Sequence, residues 1–433
     1  MVVSVVVNFT YCDCVCVQLL FSFLFQLVSL LLIFGKPLVV VVCVLLVVTL
    51  VLVLLVLLVL LVSPPPPVAL ALVANNNNNN NCIMGVTSHP LLAFTPIQAS
   101  LGGLVLATAV TGKMALLGKV TGISGTVKGL ILKSQKATNG AFVAGLVLAG
   151  NAIAVLRPEW VVVAAAAPVW RAVVAGVLVG AGTAMGNGCT SGHGLCGISR
   201  LSPRSIVATV TFMAAGVATA TATKSMHALG YVTANTPPIA FAAPGAAFYL
   251  DAAVVAGTAA ALYGAIAVAK GMLPCKKDNA DPAYCSALEF ATEFVSGATF
   301  AAGLGLSGMT SGAKVAGFLD SPLISKTWDA SLMFVMGVAL VPLTGVMMMI
   351  KQRSKEQKPP LLTSKYAIPT NSTIDAKLLT GAALFGAGWG LYGACPGPAI
   401  VQAAAQPGVN TLGFVAAMMA GQVAYENAMS SSS

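Results

Sequence analysis

Between residues 98 and 427 the chain alternates long apolar stretches with short polar breaks. The apolar stretches fall at about 98–117, 140–156, 171–186, 205–223, 246–269, 291–308, 330–350, 377–394 and 409–427. Most approach the roughly 20 residues a helix needs to cross a bilayer, so the pattern predicts about nine transmembrane helices. Several stretches are short or interrupted by Gly, Ser or Pro, which predicts broken or re-entrant half-helices. The ten-residue alternating segments that mark a membrane β-barrel are absent from the pattern. Polar breaks lie at 270–289 and 351–376. The second carries Lys351, Arg353, Lys355, Lys358 and Lys365 against Glu356, and the positive-inside rule puts it on the cytosolic side. The fold class expected is an all-α, multi-pass integral membrane protein.

The first 87 residues read differently. Residues 37–62 are almost wholly Val and Leu, Pro64 to Pro67 follow, and Asn75 to Asn81 make an unbroken run. Such runs are compositional features rather than a packed fold. The Val/Leu run is long enough to span a membrane, so it reads either as a targeting segment or signal anchor or as a mistaken gene start. No chemistry is assigned to 1–87. Residues 88–429 read as one transport domain with halves at about 88–270 and 290–429.

Composition supports the membrane reading. Of 433 residues, 58% are hydrophobic and 8% charged, against about 25% charged in a soluble domain. The 43 glycines suit helices that approach closely. The formal net charge of +10 comes from Lys and Arg scattered among loops, with no basic patch of the kind nucleic acid requires, so nucleic acid is not an expected partner. The ten cysteines do not form the framework of a small secreted protein. Cys12, Cys14, Cys16, Cys43 and Cys82 fall in the N-terminal region, while Cys275 and Cys285 share one polar loop. That pair joins if the loop faces an oxidising compartment and otherwise stays as two thiols. Cys189, Cys196 and Cys395 lie in Gly-rich apolar segments. No phosphate-binding loop is present, so transport would be passive, ion-driven or drawn by consumption of the substrate. No metal or cofactor is expected.

Four segments share one design: an apolar Gly-rich stretch, a Gly/Ser/Pro break, and a short second stretch. They lie at 101–125, 171–200, 293–320 and 377–400. Units one and three share "SG" breaks, and units two and four each carry a Cys after the break. Interrupted segments at matching positions of two halves point to a substrate site between the halves, and half-helix N-termini favour an anion. The sharpest string runs Gly188, Cys189, Thr190, Ser191, Gly192, His193, Gly194, Leu195, Cys196. Polar groups inside a membrane usually mark function, and Gly-rich backbone beside Thr190 and Ser191 can present a nest of N–H donors. For His193, a structural hydrogen bond and a substrate contact stand level. In the matching string, Cys395, Pro396 and Gly397 follow "GWGLYGA". Pro396 suits the first turn of a helix, which places Cys395 where one half-helix ends and the next begins.

"GNGCTSGHGLCGISR", "GAGWGLYGACPGPAI" and "SGMTSGAKVAGFLD" followed by "WDASLMFVMG" resemble the YeeE/YedE family of sulfur-transport membrane proteins, in a form with both halves fused. The resemblance covers about residues 90–429. It implies an internal inverted repeat whose broken helices meet at a central constriction. It also implies that Cys189 and Cys395 are thiols that hand thiosulfate inward, with Cys196 a third thiol of the path or a structural one. The family's thiosulfate transporters have a further path cysteine in their first repeat, where this chain has Lys113, Lys119, Thr121 and Ser124. Expected partners are a small sulfur anion, the lipid bilayer, and a cytosolic sulfur carrier or rhodanese-like protein. The rival reading is a membrane sulfur-transfer protein that carries a persulfide on Cys189 or Cys395.

Overall fold

The computed structural model describes residues 93–132, 136–164, 167–233, 236, 239–272, 282–321 and 325–431. The Val/Leu, Pro and Asn runs, the five N-terminal cysteines and Cys275 lie outside them. The described residues are all-helical and fall into four units of one design. Each unit has a leading helix, a break, a short helix and a returning helix. Unit one is α1 (Pro96–Leu117), α2 (Ile123–Ile131) and α3 (Lys136–Leu156). Unit two is α4 (Val169–Gly186), a π-helical segment (Thr190–Gly197) and α5 (Pro203–Ala222), followed by the single turn α6 (Ser225–Ala228). Between the halves stands α7 (Ala246–Met272). Unit three is α8 (Pro282–Leu306), α9 (Gly312–Leu319) and α10 (Ser331–Lys355); unit four is α11 (Ala376–Tyr392), α12 (Pro396–Ala405) and α13 (Val409–Ser431).

The nine long helices among the described residues follow the nine apolar stretches in order. Seven spans are long and apolar enough to cross a membrane, α11 and α12 together making one of them. The remaining two long helices, α8 and α13, carry polar side chains that are used inside the protein. One boundary differs from expectation. The sequence places residues 282–289 in a polar break, whereas α8 already starts at Pro282. Pro at the first helical position suits a helix start, and the helix runs through this stretch. Cys285, in the first turn of α8, is disulfide-bonded.

The packing has a two-fold pattern. Leading helix α1 packs on leading helix α8, returning helix α3 packs on α8, and returning helix α10 packs on α1. Units two and four repeat this: α4 lies on α11, α5 on α11 and α13 on α4. Glycines allow the close approach. A Cβ at Gly145 would fall on the Phe294 carbonyl, and one at Gly297 on the Phe142 carbonyl. Gly180 likewise faces the Met418 carbonyl across the α4–α13 contact. The linkers repeat the symmetry. The unit-one break accepts Ala367 N–H at the Gly118 carbonyl (2.8 Å), and the unit-three break donates Gly312 N–H to the Val162 carbonyl (2.8 Å). Each half contains four long helices, and the single helix α7, about 40 Å long at 1.5 Å per residue, stands between them in the chain.

Charges inside the protein are matched. Lys113 on α1 meets Glu293 on α8 at 2.7 Å, both at most 4% exposed, and Lys113 Nζ lies 4.7 Å over the Phe142 ring. Lys314 pairs with Asp329 at 2.8 Å and also donates to the Ala93 carbonyl. Buried Arg171 donates to the Leu391 carbonyl, Thr223 and Ser225, at the C-terminal end of α11, where the helix dipole favours a cation. Removing one partner of a buried pair costs about 3–5 kcal/mol, whereas replacing both is often neutral. Glu293→Ala is therefore expected to lower thermal stability in detergent sharply, and Lys113→Met with Glu293→Leu to recover most of the loss. Equal losses in the single and double variants would contradict this account of the α1–α8 contact.

Candidate functional site at the helix breaks

Every leading helix ends on a residue in the left-handed region: Gly118 (φ 64°), Asn187 (57°), Gly308 (76°) and Gly393 (75°). Gly and Asn are the residues that take this conformation most readily, so the four breaks share one stop signal. In units two and four the next half-helix starts two residues later, with Cys189 and Cys395 as its extended N-terminal cap. Their correspondence in sequence is thus a correspondence in structure. The π-helical segment after Cys189 is wider than an α-turn, a form often found at functional sites.

The breaks bond to one another. Ser191 Oγ accepts the Ile123 N–H at the start of α2 (3.1 Å), and Cys196 Sγ donates to the Thr121 carbonyl (3.4 Å); both join units one and two. Thr190 Oγ1 donates to Cys395 Sγ at 3.5 Å, joining units two and four. Gln402 Nε2 donates to the Thr310 carbonyl (3.0 Å), joining units four and three. Cys189 Sγ lies 3.2 Å from Ser191 Oγ.

Cys189, Thr190, Ser191, Cys395 and Gly397 line one small, partly open cavity. All four units contribute: Leu106 and Ile123 from unit one, and Phe300, Leu304, Met309, Val335 and Met336 from unit three, complete much of the wall. The lining side chains are uncharged. The other expected site residues sit around the cavity. Cys196 is fully buried against the Thr121 carbonyl. His193 has Nδ1 3.1 Å from Ser205 Oγ and Nε2 3.2 Å from the Gly186 carbonyl. A carbonyl only accepts, so Nε2 carries the proton and Nδ1 accepts from Ser205. Gly194 abuts the Met336 methyl and Gly192 faces Gly122. Pro396 opens α12 directly behind Cys395.

Sequence reasoning misses Met309 and Met336, which line the same cavity as the two thiols. A signal for the first exists, since Gly308-Met309-Thr310-Ser311-Gly312 repeats Gly188-Cys189-Thr190-Ser191-Gly192 with Met in place of Cys. Met336 lies in the second turn of an apolar helix, where nothing in the local pattern separates it from core.

This fold defines a class: an all-α, multi-pass membrane protein with helices broken at four matching positions. Known proteins place it further. The family described as sulphur transport matches residues 4–219, and a family of unknown function (DUF6691) matches residues 288–431. Two proteins of Xylella fastidiosa strain Temecula1, each named probable transporter, are 48% identical over 121 residues and 40% identical over 144 residues. These alignments cover 90% and 92% of the relatives but 28% and 33% of this chain. A probable transporter of strain 9a5c is 46% identical over 121 residues, 90% of its length and 28% of this chain. No solved structure matches. The chain belongs to the YeeE/YedE-like sulfur transport family and carries sulfur species across a membrane.

His193 is tied at both ring nitrogens to its own unit. Two buried hydrogen bonds at roughly 1 kcal/mol each, with larger penalties for partners left bare, set the scale. His193→Ala is expected to lower the unfolding temperature by several degrees while leaving the KM for substrate within about twofold, as measured by thermal unfolding and uptake. A raised KM with unchanged stability would instead make His193 a substrate contact.

Proposed function

We propose that the transported species is thiosulfate and that it passes between the Cys189 and Cys395 thiols at the centre of the protein. The observation that carries this reading is that these two cysteines, one from each half, open onto a single uncharged cavity and are linked there through Thr190. Thr190 donates its hydroxyl proton to Cys395 Sγ, so the Cys395 S–H is available to the cavity. A thiol is a weak donor and a polarisable surface. Beside Met309 and Met336 it suits the soft terminal sulfur of thiosulfate better than the hard, strongly hydrated oxygens of sulfate. Half-helix N-termini supply partial positive charge without a side-chain cation, so the anion is held weakly enough to leave. Thr190, Ser191 and the backbone around Gly192, Gly194 and Gly397 complete the path, with His193, Cys196 and Pro396 holding its shape. A cytosolic sulfur carrier or rhodanese-like protein that consumes the anion would keep the gradient inward.

The test is uptake of labelled thiosulfate into liposomes holding the purified full chain. Cys189→Ala and Cys395→Ala are each expected to cut uptake at least about tenfold, the scale of one or more lost transition-state contacts, while the proteins remain folded. Unlabelled thiosulfate should compete strongly and sulfate weakly. No uptake of any sulfur anion would sink the proposal. A persulfide found on either thiol after turnover would move the function to sulfur transfer.

A further inference from the structure

Four sulfur side chains line the one cavity: the Cys189 and Cys395 thiols and the Met309 and Met336 thioethers. They come from three of the four units, so the fold gathers them and not the local sequence. Both thiols meet one short stretch of chain. Cys189 Sγ lies 3.2 Å from Ser191 Oγ, and Cys395 Sγ lies 3.5 Å from Thr190 Oγ1. Both cysteines are unpaired and at most 4% exposed. Met336 reaches the same segment. Gly194 stands five residues beyond Cys189, about one π-turn, and a Cβ there would lie 2.9 Å from the Met336 methyl and 3.8 Å from its Sδ. Glycine at 194 therefore leaves room for the thioether against the turn that Cys189 opens. Met309 directly follows Gly308, the left-handed residue that ends α8, so the unit-three break itself sets it in the cavity wall.

This set of donors is selective. Among the described residues, the lining offers sulfur and hydroxyl groups but no carboxylate, imidazole or amine. Mg²⁺ and Ca²⁺ require oxygen ligands, and a closed Zn²⁺ site requires four ligands from Cys, His or carboxylate; two thiols fall short of both. His193 does not fill the gap, because Ser205 and Gly186 occupy its ring nitrogens. Thiolate together with thioether suits a soft ion such as Cu(I). Charge agrees with this. Two thiolates and one Cu(I) carry a single net negative charge, and each thiol belongs to a residue that caps the N-terminus of a helical segment, where partial positive charge favours an anion.

We infer that the cavity is a binding site for a soft monovalent metal ion, Cu(I) being the biological example, held by Cys189 and Cys395 with Met336 and Met309 completing the sulfur set. The ion arrives and stays as Cu(I), so no electron moves, and each thiol that binds it gives up its proton to water. A metal ion there fills the cavity and stops the passage of an anion. That consequence rests on the thiosulfate reading; the binding itself does not.

The experiment titrates Cu(I), kept reduced by ascorbate without oxygen, into the purified full chain against the competing chelator bicinchoninate. The number of copper ions bound is expected to fall by one in Cys189→Ser and by one in Cys395→Ser. The double variant should lose no more than that same ion, because the two thiols share it. Met336→Leu keeps the volume and removes the thioether, and should weaken this ion about tenfold, the low end of what partners around a metal contribute. In the unaltered chain, an experimental structure soaked with Ag(I) should show silver by anomalous scattering in the cavity, in contact with both thiols. No copper lost in either cysteine variant, two ions lost in the double variant, or silver found only outside the cavity would each overturn the proposal. Unchanged affinity in Met336→Leu would overturn the part given to that thioether. None of these readouts needs uptake, so they are independent of which anion is carried.

Discussion

Backbone N–H and C=O groups that leave a helix inside a membrane protein have no bulk water to turn to, and each must find a partner within the fold. Four buried breaks make this the governing constraint here. The breaks meet it by bonding to one another, Ile123 N–H to Ser191, Cys196 to the Thr121 carbonyl and Gln402 to the Thr310 carbonyl, and to the linkers, Ala367 N–H to the Gly118 carbonyl and Gly312 N–H to the Val162 carbonyl. Convergence of all four units follows, because a break that moved away would strand its polar groups. The shared cavity is thus a consequence of satisfying the backbone, and the two thiols reach it because each caps a half-helix at the meeting point.

The same constraint explains the chemistry of the cavity. Two buried ion pairs hold helices together away from the cavity, Lys113 with Glu293 and Lys314 with Asp329. The cavity lining has only thiols, hydroxyls, thioethers and apolar groups. An anion crossing such a place meets diffuse partial charge and polarisable sulfur rather than a fixed cation. That favours passage over storage, and it favours a soft sulfur species over a hard oxyanion.

Much of this is legible in the chain itself. Nine apolar stretches become nine long helices, because bilayer-crossing length and composition are strong local signals. The four Gly/Ser/Pro interruptions become four breaks, because the left-handed residue that ends a helix is usually Gly or Asn, here Gly118, Asn187, Gly308 and Gly393. The start of α8 is not legible, since residues 282–289 read as the end of a polar break although they already belong to the helix. Sequence leaves the role of His193 undecided; only the structure shows both ring nitrogens occupied by Ser205 and Gly186. Met336 stays hidden for a related reason. A methionine in an apolar helix reads as packing until the opposite wall of a cavity is known.

The claim that a sulfur anion passes between Cys189 and Cys395 is tested most directly by locating one there. An experimental structure of the protein soaked with selenosulfate would place the selenium by its anomalous scattering. The account predicts a peak inside the cavity, within hydrogen-bonding reach of both thiols and beside Met309. A selenium peak held elsewhere in the protein, with the cavity closed to it, would contradict the account.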